Sequence, residues 1–164
     1  MARFSFLLVL FVGFAASAQE FEVPTNFNHK IDSDYAKHEN DLIAAVNWLQ
    51  NTPYSDQKEK RSRVNAFVTK WVEGSPDVKI TLYEDIVTFM DCRDCLTLYM
   101  GGWAKYQLET NDKSQIKGNV AGLETAIVFY EKNKTGLGRI RGLEKYAKLK
   151  EKGKLESELE WILR

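Results

Sequence analysis

The sequence predicts an all-α domain of five to seven short helices, a compact bundle or irregular array behind a cleaved signal peptide. Three observations predict it. Apolar residues recur every three or four positions along nearly the whole chain, the spacing of one helix face. Alternation of the kind a strand needs is confined to Val78, Ile80 and Leu82. Stop signals at Pro53, at Gly74 with Pro76, and at Gly153 cut the periodic stretches into helix-sized pieces.

The N-terminus reads as a leader. Arg3 supplies a short positive segment, Phe4 to Phe14 is an uncharged apolar run, and Ala16-Ser17-Ala18 offers small residues at −3 and −1. Even extended to Ala18 the run is 15 residues, whereas a bilayer-spanning helix needs about 20. The expectation is a signal peptide over 1–18, cleaved before Gln19, and an exported product, periplasmic or secreted. No cysteine follows the run to take a lipid anchor. Residues 19–164 then form one all-α domain, long enough to bury roughly 68–70% of its unfolded surface without staples.

The helices can be placed in order. Asp32 or Ser33 caps a first helix to about Gln50, with Tyr35, His38, Leu42, Val46 and Leu49 on one face. Ser55 or Asp56 opens a second, carrying Val64, Phe67, Val68 and Trp71, with Gly74 at its C′ position. Val78 to Leu82 is a short strand or an extended connection. Ile86, Val87 and Met90 begin a third helical stretch that runs, with or without a break, through Cys92 and Cys95 to about Glu109. Ser114 opens the clearest helix, stepping through Ile116, Val120, Leu123, Ile127 and Tyr130. Two more follow, over Ile140 to Leu149 and over Leu155 to Ile162. The four tryptophans, Trp48, Trp71, Trp103 and Trp161, read as core fillers, and His38 as a hydrogen-bonded core or boundary residue.

The two cysteines, in MDCRDCLTLYMGGW, are the one chemical feature. A thioredoxin-type site needs a strand leading into C-x-x-C and further strands beside it, and the chain offers one doubtful strand. Covalent haem needs His after the second cysteine, where Leu96 stands. A structural zinc needs four ligands, which Cys92, Cys95, His29 and His38 would supply only by all converging. No metal and no cofactor is expected. A local disulfide or two free thiols remain, and in an oxidising compartment paired cysteines bond. At i and i+3 they lie in bridging reach near a helix N-terminus, which Asp91 or Asp94 would cap and where a thiol pKa falls.

Glycines suggest two further readings. GLGRIRG (136–142) has nearly the spacing of a dinucleotide fingerprint, but that motif works only between a strand and a helix; here it reads as a loop between helices. Gly101, Gly102, Gly118 and Gly122 lie inside helices, where each costs about 1 kcal/mol relative to alanine. Close helix crossing explains them; a gap admitting a ligand beside Gly101, Gly102 and Trp103 is the sharper reading. No Ser-His-Asp set and no isolated carboxylate in an apolar run points to catalysis.

Formal charge balances over the whole chain, 23 bases against 23 acids, which argues against nucleic acid as an obligate partner. Its distribution is uneven. Residues 132–154 carry nine bases, among them Arg139, Arg141, Lys145, Lys148 and Lys152, against Glu144 and Glu151. That patch is either a solvated face or a contact for an anionic polymer, a lipid surface or an envelope protein.

The stretches NAFVTKWVEGSP (65–76), IVTFM (86–90), MGGWAKYQLE (100–109) and EKYAKLKEKGKLE (144–156) resemble uncharacterised small exported α-helical proteins of Bacteroidetes-type bacteria. The resemblance spans most of residues 19–164 and implies a bacterial envelope setting; it brings no active site or ligand. Two functions follow as expectations. The first is a non-catalytic helical binding or interaction protein of the envelope. The alternative is a thiol–disulfide active protein using Cys92 and Cys95. A buried, oxidised pair favours the first, and an exposed pair at a helix end in a groove favours the second.

Overall fold

A computed structural model of the chain describes residues 20–164; the expected leader lies outside them. Seven helices and no strand make up the described residues, of which 66% are helical. They are α1 (Asp32–Lys37), α2 (Glu39–Asn51), α3 (Lys58–Gly74), α4 (Arg93–Thr110), α5 (Gln115–Leu137), α6 (Arg141–Glu151) and α7 (Leu155–Ile162). The all-α prediction holds. None of these helices is long and apolar enough to cross a membrane.

α4 is the central element. It packs against α2, α3 and α5, and Leu98, Tyr99, Trp103 and Ala104 have no exposed surface. A helix apolar on most sides is one surrounded by others. Its closest partner is α5, and the reason is the glycines. A Cβ at Gly118 would meet the Trp103 indole and one at Gly122 would come within 2.6 Å of the Tyr99 carbonyl; on the other side of α4, one at Gly101 would lie 2.6 Å from Val46 of α2. A Cβ at Gly102 would collide with Thr125. Neighbouring side chains therefore fill the space beside Gly101, Gly102 and Trp103, which fits the close helix crossing and corrects the alternative of a ligand gap there. Trp48 and Trp71 join Trp103 in the core, but Trp161 is 72% exposed. It falls on the outer side of a short terminal helix whose buried positions are Leu155 and Leu159.

Other boundaries differ locally. The first predicted helix is two, broken at His38, whose backbone (φ −110°, ψ 18°) leaves the helical region. Neither Asp32 nor Ser33 is the cap: Ile31 holds that position and Asp32 begins α1. α3 starts later than Ser55 or Asp56, at Lys58, after Gln57 in a left-handed conformation. Residues 78–82 form no strand and lie in the irregular connection between α3 and α4. Ile86 and Val87 are buried in turns rather than in a helix, so α4 begins only at Arg93. Apolar spacing alone does not separate a helix from successive turns that bury the same side chains. His38 is buried and its Nδ1 lies 2.6 Å from Asp41 Oδ2, as the reading of a satisfied boundary histidine requires. Ser114 caps α5 through Oγ, which accepts the Lys117 N–H at 3.3 Å.

Candidate functional site

The first turn of α4 is pinned from below by Arg61. This residue continues the apolar face of α3 and is 4% exposed, its guanidinium 5.3 Å from the Phe129 ring centre and 5.7 Å from that of Trp48. It donates from Nη1 to the Leu49 carbonyl (3.3 Å) and from Nη2 to those of Thr52 (2.5 Å) and Pro53 (3.1 Å). These are carbonyls at the C-terminal end of α2, where a cation is electrostatically favoured. Nη1 also donates to Asp94 Oδ1 at 3.1 Å, an oxygen that accepts as well from Asn65 Nδ2 at 3.1 Å. A single side chain thereby ties the end of α2, the body of α3 and the start of α4.

Asp94 is accordingly no cap. Cys92 holds the N-cap position itself, and its Sγ accepts the Cys95 N–H at 3.3 Å. Cys92 and Cys95 are disulfide-bonded, with Cα atoms 5.2 Å apart. Cys95 is buried in the core, whereas Cys92 is half-buried and faces a groove. The pair thus meets part of each criterion: it is oxidised with one member buried, and its other member sits at a helix end in a groove.

That groove encloses about 560 Å³. One wall is the turn before α4 with its first residues, including Thr88, Cys92 and Arg93; the other is the corner between α5 and α6, from Gly136 to Gly142. The corner is held by Glu144, which takes Lys134 at 2.8 Å and Arg139 at 2.9 Å, and by the Tyr130 hydroxyl, which accepts the Ile140 N–H at 3.1 Å. The hydrogen bonds from Lys134 and then Arg139 pull the Glu144 carboxyl down to about 2. GLGRIRG is therefore the groove's rim, with Gly136 still in α5 and Arg141 already in α6. A second cavity of about 250 Å³ adjoins the groove and shares Tyr54, Arg93 and Asp94 with it.

The basic patch is not one surface. Arg139 and Arg141 line the groove, while Lys145, Lys148 and Lys152 do not. Arg139 and Lys145 are engaged by Glu144 and by Glu158 (2.7 Å). No group of three or more His, Cys, Asp or Glu side chains fit to hold a metal occurs among the described residues. Arg61, Asn65, Lys58 and Tyr54 escaped the sequence reading. The signal for two of them was there: Arg61 and Asn65 stand in register with Val64, Val68 and Trp71, so polar groups fall on an apolar stripe.

Compared with protein-family models, curated proteins and solved structures, the chain matches none.

Proposed function

We propose that the chain is an exported, non-catalytic binding protein of the cell envelope whose ligand enters the groove at the N-terminal end of α4. The observation that carries this reading is the groove with its adjoining cavity: a concave surface bordered by Arg93, Arg139 and Arg141 on a rigid helical frame. Export rests on the leader-like residues 1–18, and the envelope setting on the resemblance to exported helical proteins. The test is affinity capture from native envelopes with the wild type, an Arg141→Glu variant and a control, Glu73→Lys, remote along α3. A partner held by wild type and control and lost by Arg141→Glu supports the groove. Equal capture by all three sinks it.

One observation favours a second reading, thiol–disulfide exchange. The half-buried Cys92 faces the groove at a helix N-terminus and the partner sulfur of Cys95 is buried behind it. An incoming substrate thiolate would attack Cys92, the sulfur open to it, forming a mixed disulfide and releasing Cys95 as thiol. A second substrate thiol would then displace Cys92, leaving the substrate disulfide-bonded and both cysteines of the chain reduced. Oxidation of a reduced dithiol peptide that Cys92→Ser abolishes would establish this reading. Absence of any exchange with the intact disulfide would leave the binding reading alone.

A further inference from the structure

α6 and α7 form a helical hairpin joined through residues 152–154, and both pack on α5 as well as on each other. Their buried positions are Leu143, Tyr146 and Ala147 on α6, and Leu155 and Leu159 on α7. The remaining sides of the two helices therefore look outward from the same part of the molecule. Lys145 and Glu158 meet across the seam between them at 2.7 Å.

This outward surface is split by charge. Lys145, Lys148 and Lys152 recur at the spacing of one helix face along α6 and its C-cap. α7 contains the acids Glu156, Glu158 and Glu160 and no base. Lys148, Lys152, Glu156 and Glu160 are exposed, and none of them forms an ion pair among the described residues. One turn on from Glu158, Trp161 is 72% exposed, whereas Trp48, Trp71 and Trp103 are buried. A large aromatic in water beside uncompensated charges has the make-up of an interface anchor with its polar rim.

The sign pattern selects the partner. An anionic polymer or lipid surface laid over the hairpin would meet the α7 glutamates as well as the α6 lysines. A second copy of the chain avoids that conflict. A two-fold axis lying in the surface and parallel to the hairpin sets α6 of each copy on α7 of the other, so lysines face glutamates in both halves. The perpendicular two-fold would oppose α6 to α6 and lysine to lysine.

We propose that the chain pairs with a second copy of itself through the outward face of the α6–α7 hairpin, with Lys148 and Lys152 of each copy opposite Glu156 and Glu160 of the other. Trp161 supplies the apolar contact, lying against the aliphatic stems and charges of the facing α6. None of these residues lines the groove, so the pairing goes beyond the binding reading and stands or falls without it.

Sedimentation velocity on the chain from residue 19 on, over a concentration series at low and physiological salt, tests the pairing. The expected result is a monomer–dimer equilibrium that weakens as salt rises, because charges at the edge of the interface are screened. Tryptophan emission should shift to shorter wavelength as the dimer forms, and Trp161→Ser should remove that shift and weaken association at least tenfold. Lys148→Glu with Lys152→Glu should weaken it as much while the circular dichroism spectrum stays unchanged. Adding Glu156→Lys and Glu160→Lys reverses both halves of the surface, and this quadruple variant should regain most of the association. A folded quadruple variant as monomeric as the double one overturns the matching of charges. A wild type that stays monomeric at every concentration overturns the pair, and if it is held by anionic vesicles that the double variant does not bind, the lysines serve a lipid surface instead.

Discussion

Arg61 and Asp94 stand 33 residues apart in the chain and meet at 3.1 Å, one 4% exposed at its side chain and the other 14%. Through that contact the end of α2 and the face of α3 set the position of the first turn of α4. The turn in turn carries Cys92 and Arg93 into the groove.

Removing one partner of such a pair leaves the other charge buried. Asp94→Ala should therefore cost about 3 kcal/mol of stability, the lower end of the range for breaking a buried pair, since three carbonyls still hold Arg61. Asp94→Asn keeps an acceptor and should cost less. Urea unfolding followed by circular dichroism measures both; a loss under about 0.5 kcal/mol for Asp94→Ala, the size of an ordinary surface change, would contradict the anchoring role.

The disulfide should matter little to the fold. It closes a loop of sequence separation three, and chain entropy allots so small a loop roughly 2 kcal/mol. Replacing Cys92 and Cys95 together by Ser should lower stability by at most that amount and leave a helical protein. Loss of the helical spectrum in the double variant would show that the bond holds the start of α4 in place.

At the α4–α5 crossing, Gly118→Ala places a methyl group on the Trp103 ring. Overpacking of a close core contact costs typically 1–3 kcal/mol, against a gain of up to about 1 from replacing a helical glycine. The net expectation is destabilisation in a thermal melt. A raised melting temperature would mean the helices can part without cost.

Acid should loosen the rim of the groove, and the loop between α4 and α5, before the core. Glu144, lowered to about 2 by Lys134 and Arg139, and Asp112, lowered to about 2 chiefly by the Tyr106 hydroxyl and the Ser114 N–H, both have folded-state values below their ordinary ones. Their contributions are present above the ordinary carboxylate range and are lost as pH falls from there towards about 2. Amide exchange at residues 138–142 should accelerate in that window, and Glu144→Gln should remove the dependence. A pH-independent rim would show that the two ion pairs do not hold it.

Much of the fold was legible because helices bury a periodic face: α5, α6 and α7 follow their apolar spacing and the Ser114 and Gly153 signals closely. The break at His38 and the late start of α4 were not. Ile86 and Val87 are as buried as any helical residue, but turns bury them, and spacing over so few residues has no period to measure. Cys92 and Cys95 were legible as a bonded pair at a helix start. Their groove was not, because its far wall comes from the α5–α6 corner more than 40 residues away. The place of Arg61 on an apolar stripe could be read, but its partners were hidden for another reason. It caps carbonyls of a different helix, a contact that local pattern does not encode.

The central claim is that ligand enters at the groove, and site-specific photocrosslinking in cells exporting the protein tests it most directly. A photoreactive side chain at Arg141, on the groove, is compared with one at Glu73, twelve residues along α3 from Arg61 and so about 18 Å away by helical rise. Crosslinking to a discrete species from residue 141 and not from residue 73 is the predicted result. Crosslinking from residue 73 alone, or equally from both, would contradict it.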